Sequence, residues 1–250
     1  MQTPSVDLFP KLKALWQEAF GDTDAYLAAF EKTAFHPERC RVIMEDGTVC
    51  AALYWFDCSC EGAKIAYIYA VATLKACRGR GLCHRLMQDV HTLLAARGYA
   101  ACVLVPGSGS LFTFYERMGY RTFGFVREFE SVRGQTAAEL FPIEKEEYAR
   151  LRRQYLPTGG IVQENENLDF LQTQAELYCG DGFVLAARKE ENTVFGIELL
   201  GDTRAASGIV TALGAQNGKF RTVGEEKPFA MYYPLREDFT VPRYFGLAFD

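Results

Sequence analysis

Apolar residues recur at helical spacing from the start of the chain. Leu12, Leu15, Trp16 and Phe20 share one face, and Tyr26, Leu27, Phe30 and Phe35 share another after the turn signal Gly21-Asp22, which predicts two helices. The period then changes. The stretch CRVIMEDGTVCAALYWFDCSCEGAKIAYIYAVAT (40–73) reads as strand, Asp46-Gly47 hairpin turn, strand, Glu61-Gly62 turn and strand, so the sheet is antiparallel here. Helical spacing returns at Leu82, Leu86, Val90 and Leu93, with Gly98 in a C-terminal capping position. YAACVLVP is a short apolar run of buried-strand type, SLFTFYERMG is helical up to Gly119, and YRTFGFVREFESV is a strand again. The strands on either side of the 82–97 helix can lie parallel through a crossover. The pattern therefore predicts an α+β fold in which a mixed, mostly antiparallel sheet is flanked by helices.

Past Gly134 the character shifts. A charged helical stretch (136–156) runs into the breaker Pro157-Thr158-Gly159-Gly160. A helix over about 169–178, a hairpin over 182–201, a short helix over 205–213 and strands in KFRTVG, FAMYYPL and YFGLAFD follow. The division is expected between domains 1–134 and 135–250. The second loosely echoes the first in element order, as a decayed duplication would, without residue identity that amounts to a repeat.

Composition narrows the function. A chain of 250 residues with 49% hydrophobic and 24% charged residues is globular, and it can hold one large domain or two modest ones. A net charge of -5 argues against a nucleic-acid partner, which requires a basic surface, and suits a cationic small substrate. The N-terminus lacks the basic start and apolar run of a secretory signal, and no run of about eighteen apolar residues occurs, so a cytoplasmic protein without a membrane partner is expected. Eight cysteines in mostly apolar surroundings read as reduced, buried thiols. Cys58 and Cys60 are the only close pair and no histidine completes a zinc set, so no metal site is expected.

Arg78, Gly79, Arg80 and Gly81 stand at the mouth of the 82–97 helix. A helix start offers unsatisfied N–H groups and a positive dipole end, glycines let a ligand approach the backbone, and arginines add charge, which together suit a phosphate. Taken alone, the four residues are better read as a solvated basic turn capping a core helix. A P-loop would need GxxxxGK[ST], and a dinucleotide fingerprint would need a glycine where His84 stands.

The flanks decide between these readings. The segment Arg78-Gly79-Arg80-Gly81-Leu82-Cys83 resembles motif A of the GCN5-related N-acetyltransferase (GNAT) superfamily, with Cys83 where the family has Gly or Ala. LFTFYERMGYRTFG (111–124) resembles the family's FYxxxGF block, with Tyr120 in place of Phe. The resemblance covers roughly residues 11–132. Its two-part layout is similar to the bacterial type in which an active acetyltransferase domain precedes a degenerate one, as in the enhanced intracellular survival acetyltransferases.

The resemblance implies a GNAT fold followed by a smaller degenerate GNAT-like domain, and one acetyl-CoA per chain as co-substrate. The implied binding residues are Val71, Ala72 and Thr73 on the strand, Arg78, Gly79, Arg80, Gly81, Leu82, Cys83 and His84 at the turn, and Ser110. Tyr115 corresponds to the tyrosine that protonates the departing thiolate. A hydroxyl of pKa about 10 keeps its proton until a thiolate of pKa about 8.5 needs it. The family's strand glutamate is missing from KIAYIYAVAT, which leaves water or the C-terminal group of Asp250 as base. Tyr54, Trp55, Tyr67 and Tyr69 are candidates for an aromatic wall or for core packing. The implied reaction is acetyl transfer to a primary amine of a small-molecule or amino-acid-like acceptor, with residues 135–250 covering the acceptor site. A catalytically silent acyl-CoA-binding regulator and an aminoacyl-tRNA-dependent transferase on a tandem fold are the alternatives.

Overall fold

The computed structural model describes residues 1–249, which fold as two compact units. Unit 1 comprises Met1–Arg121 and Tyr232–Thr240, and unit 2 comprises Thr122–Met231 and the residues from Val241 onward.

Unit 1 holds helices α1 (Phe9–Phe20) and α2 (Asp24–Thr33), strands β1 (Cys40–Glu45), β2 (Thr48–Cys60) and β3 (Ala63–Thr73), then α3 (Leu82–Ala96), β4 (Ala101–Leu104) and α4 (Gly109–Glu116). Local chemistry sets the ends. Gly21, at φ 76°, closes α1 by donating its N–H to the Gln17 carbonyl at 2.9 Å, and Thr23 Oγ1 accepts from the Tyr26 N–H at 3.2 Å to open α2. The hairpin turns take positive φ at both central residues, Asp46-Gly47 and Glu61-Gly62, as expected for tight connections between twisted strands. Strands β1, β2 and β3 pair antiparallel and β4 joins β3 in parallel, with α3 as the crossover. The core packs Trp16 against Phe30 (5.6 Å between centroids) and Phe30 against Tyr54 (5.0 Å), both edge to face. Leu94 rather than Leu93 completes the buried face of α3, and Phe20 is exposed instead of joining the α1 face.

Unit 2 begins earlier than the pattern predicts. Strand β5 (Arg121–Val132) pairs from Val126 to Val132 with β10 (Asn217–Val223), a partner far along the chain, so nearly all of β5 belongs to the second unit and not to a first domain ending at 134. In return, residues 232–240 belong to unit 1, where Leu235 N–H donates to the Ala100 carbonyl (2.9 Å) and the Tyr233 ring stacks on His91 at 4.0 Å. The other elements of unit 2 are β6 (Phe141–Pro142), α5 (Lys145–Tyr155), α6 (Glu166–Leu171), β7 (Glu176–Gly180), β8 (Phe183–Glu190), β9 (Thr193–Gly201) and α7 (Ala206–Ala212). Strand β11 (Lys227–Pro234) begins in unit 2 and ends in unit 1. The helix expected to reach Tyr178 stops at Leu171, because Glu176–Gly180 is drawn into pairing with β8. The helix expected from about 136 starts at Lys145, and YFGLAF makes only a bridge from Tyr244 to Gly160 where a strand was expected.

The two units repeat one arrangement. In unit 1, β2 and β3 form a hairpin and α3 leads to the parallel strand β4; in unit 2, β8 and β9 form a hairpin and α7 leads to the parallel strand β10. Both hairpins also skip register on the strand before the crossover. Ala70-Val71 on β3 stand opposite Leu53 alone, and one extra residue, Ile197, is inserted on β9. In unit 2, Glu198, next to that insertion, is 0% exposed and is held by Arg152 (Nε–Oε2 2.6 Å) and by the hydroxyl of Tyr244 (3.1 Å).

Candidate functional site

The site is built where β3 parts from β4. Parallel pairing with β4 covers only Ile65, Ala66 and Tyr67, opposite Ala101, Cys102 and Val103. Beyond Tyr67 no paired position of β4 follows, while β3 runs on to Thr73. The bulge sits in this splayed part. Ala70 takes φ 50°, a left-handed conformation that costs an alanine about 1 kcal/mol or more, and the indole Nε1 of Trp16 donates to its carbonyl at 3.0 Å. A splayed strand edge is the geometry to which an extended, amide-bearing ligand adds as a strand. Val71 and Thr73 are half-buried along it, and Ala72 is buried opposite Ala52.

The strand then passes through a short 3-10 turn (Lys75–Cys77) into the arginine and glycine segment. Gly79 and Gly81 hold φ 76° and 71°, and a Cβ built on either would meet nothing within 4 Å. The glycines are therefore required by backbone conformation, and the space beside them is open to a ligand. Gly81 caps α3 without a side-chain hydrogen bond, and the first helical bond is Arg85 N–H to the Gly81 carbonyl, so the amides of Leu82, Cys83 and His84 have no partner within the helix. Arg78 and Arg80 are exposed. The first donates Nε to the Thr73 carbonyl (3.0 Å), and the second is paired with Glu45 (2.8 Å) on the end of β1. The Leu82 side chain is in the core, so its main chain alone faces the turn; His84 is exposed. Cys83 is half-buried, and burial pushes its thiol up to about 11.

Tyr115 lies on α4, 7% exposed, with its ring edge-on to Tyr120 at 5.7 Å. Burial first, and then the Cys83 thiol, push its hydroxyl well above the usual tyrosine value, so it is protonated at neutral pH. Among the described residues its hydroxyl has no hydrogen-bond partner, which leaves the proton available to a ligand. Ser110 is exposed in the first turn of α4, its Oγ 3.1 Å from Ser108 Oγ.

The structure thus gathers 71–73, 78–84 and Tyr115 in unit 1. Asp250 lies outside the described residues; the segment before it, with Tyr244, Phe245 and Leu247 buried and Phe249 packed on Phe170 at 5.1 Å, belongs to unit 2. Of the four aromatic candidates for a wall or for core packing, Tyr54 and Trp55 are core residues, with Trp55 Nε1 bonded to the Tyr99 hydroxyl (3.2 Å) and the Tyr54 hydroxyl bonded to the Ala34 carbonyl, and Tyr67 is buried as well. Tyr69 is half-buried, with its hydroxyl 2.6 Å from that of Tyr26. The bulge at Ala70 and the Arg80–Glu45 pair were not foreseen. Among the described residues no group of three or more His, Cys, Asp or Glu side chains is arranged to hold a metal.

This geometry agrees with the family comparison. The GNAT acetyltransferase domain model matches residues 3–123. Residues 3–123 belong to the GNAT superfamily. GNAT enzymes transfer an acyl group from acyl-CoA to an acceptor. The fold extends over both units. A conserved protein of unknown function from Enterococcus faecalis V583 aligns at TM-score 0.71 and 16% identity over 94% of this chain and 72% of its own. The GCN5-related N-acetyltransferase of Anabaena variabilis aligns at 0.69 and 14% over the same shares. A tandem GNAT protein from the clavulanic acid biosynthesis pathway aligns at 0.56 and 11% over 96% of this chain and 98% of its own. No curated protein matches the chain in sequence. No helix among the described residues is long and apolar enough to cross a membrane.

Proposed function

We propose that the chain is an N-acetyltransferase that binds one acetyl-CoA in unit 1 and transfers its acetyl group directly to a primary amine of a small-molecule or amino-acid-like acceptor. The observation that carries this reading is the bulged, splayed edge of β3 running into an open glycine turn at an uncapped helix start. In the reaction the amine nitrogen forms a bond to the acetyl carbon, the C–S bond breaks, the amine loses a proton and the sulfur gains one. The chain's residues divide that work. The amides of Leu82, Cys83 and His84, with Arg78 and Arg80, hold the diphosphate. The free edge at Val71 to Thr73 holds the pantetheine amides, which fixes the thioester in place. Tyr115 delivers the proton to the leaving sulfur, its buried hydroxyl being protonated and without a competing partner.

Unit 2 keeps the hairpin, bulge and crossover, but its turn after β9 lacks the open glycines. A Cβ on Gly201 would lie 2.1 Å from the Gly182 carbonyl oxygen. It is proposed to bind no acyl-CoA. The proposed setting is the cytoplasm, where the eight free thiols remain reduced.

Calorimetric titration with CoA, paired with thiol release from acetyl-CoA over a panel of amines, tests the reading. One CoA per chain is expected, weakened at least tenfold in the Arg78→Ala/Arg80→Ala double variant, together with amine-dependent thiol release. Unchanged affinity in that variant removes the phosphate assignment, and tight CoA binding without turnover on any amine assigns the chain to silent acyl-CoA binders.

A further inference from the structure

Cys50 on β2 and Cys77 in the 3-10 turn before Arg78 stand 27 residues apart in sequence, with their sulfurs 2.8 Å apart. That separation is within about 0.8 Å of a disulfide bond. Both are free thiols, 2% and 7% exposed. The main chain keeps them together. The Leu74 N–H donates to the Cys50 carbonyl (2.9 Å) and the Cys77 N–H to the Leu74 carbonyl (2.7 Å), which folds the turn back on β2.

The pair is linked to both arginines of the 78–81 turn. The Cys77 thiol donates to the Cys50 sulfur, the Cys50 thiol donates to the Glu45 carboxylate at 3.8 Å, and Glu45 binds Arg80 at 2.8 Å. Burial above all pushes the Cys50 thiol up to about 11, so it keeps that donated proton at neutral pH. On the other side, Cys77 adjoins Arg78, whose Nε donates to the Thr73 carbonyl at 3.0 Å. A new bond between the sulfurs therefore acts on the turn from two directions.

We propose that Cys50 and Cys77 are a redox pair that a hydroperoxide converts to a disulfide, and that the disulfide weakens CoA binding at the turn. Cys77, the more exposed thiol, reacts first: its sulfur takes one peroxide oxygen as a sulfenic acid, and one water leaves. The Cys50 sulfur then attacks the Cys77 sulfur, the S–O bond breaks, and the hydroxide leaves with the Cys50 proton as a second water. The two thiols lose two electrons and the peroxide gains them. Bonding draws Cys77 toward β2 and Arg78 with it. It also removes the S–H that Glu45 accepts, leaving that carboxylate to Arg80. One arginine withheld from a phosphate corresponds to about tenfold or more in affinity. The disulfide stands apart from the acyl-transfer reading, and its effect on CoA rests on it.

The test treats the full chain with hydrogen peroxide, removes the excess with catalase, maps non-reduced peptides by mass, and titrates undigested protein with CoA by calorimetry. A peptide linked through Cys50 and Cys77 is expected, separable by dithiothreitol, with two of the eight free thiols lost. The oxidised chain is expected to bind CoA about tenfold or more weaker, and dithiothreitol to restore the affinity. Cys50→Ala and Cys77→Ala are each expected to have the same CoA affinity before and after peroxide. Absence of that linked peptide, or a link between other cysteines in its place, overturns the pair. A linked chain with unchanged CoA affinity, or a peroxide effect that persists in the two variants, overturns the switch. If the reduced chain binds no CoA, the acyl-transfer reading falls, and the linked peptide alone decides the pair.

Discussion

The Trp16 indole donates to the carbonyl of Ala70 at 3.0 Å, tying the first helix to the one residue of β3 that adopts a left-handed backbone. A strained main-chain conformation persists only where its surroundings over-determine it, and this bond, with its donor 1% exposed, is the restraint. Trp16→Phe keeps an apolar ring and removes the donor, so the carbonyl is left wanting a partner. A loss of about 1–3 kcal/mol is expected in urea unfolding. CoA affinity is expected to fall severalfold, because the strand edge loses its fixed course. Equal CoA affinity in the two proteins would show that the bulge does not depend on Trp16.

Arg80 reaches the turn already paired. Its partner Glu45 is an anion beside the proposed diphosphate site, and it competes with phosphate for the same guanidinium. Glu45→Gln is therefore expected to tighten CoA binding severalfold at low ionic strength, with the gain shrinking at about 0.5 M salt as screening removes the repulsion. Weaker binding in that variant would mean that Glu45 orients Arg80 for the ligand instead of withholding it.

Tyr115→Phe removes one oxygen whose hydroxyl has no partner in the fold, so stability is expected to change little. If the hydroxyl protonates the leaving sulfur, kcat for acetyl transfer should fall by about 10²–10⁴ while the Kd for CoA stays within twofold. Steady-state kinetics beside calorimetry separate the two quantities. Turnover at the wild-type rate would assign Tyr115 to packing against Tyr120.

What the chain's pattern could and could not disclose follows from how local each signal is. The turns at Gly21, Asp46-Gly47 and Glu61-Gly62, and the face of α3, are set within a few residues and were legible. So was the turn at residues 78–81, whose glycines both have positive φ. The bulge was not legible, because its left-handed residue is an alanine held by a tryptophan far along the chain. The unit boundary was displaced for a similar reason: a continuous strand, β5, takes a partner nearly a hundred residues later. Glu176, Leu177 and Tyr178, expected at the end of a helix over about 169–178, lie in a strand because β8 supplies the pairing. The family's strand glutamate has no counterpart in KIAYIYAVAT, and Asp250, the carboxylate offered in its place, lies outside the described residues.

His91 gives the fold a calculable pH dependence. It is buried on α3, its ring stacked on Tyr233 and its Nε2 2.8 Å from the Tyr120 hydroxyl. Burial, and secondarily the charge of His84, lower its pKa from 6.5 to about 4. The unfolded chain thus binds a proton more readily than the folded one. The contribution of the neutral imidazole is fully present above pH 6.5, is lost as pH falls toward 4, and does not change further below that. The span corresponds to about 3 kcal/mol. His91→Gln retains a hydrogen-bonding side chain for Tyr120 and cannot titrate. Urea unfolding between pH 7.5 and 4 is expected to show the two proteins converging in stability as the pH drops, with carboxylate titrations common to both cancelling in the difference. A constant difference across that range would mean that His91 is charged, or equally hydrated, in both states.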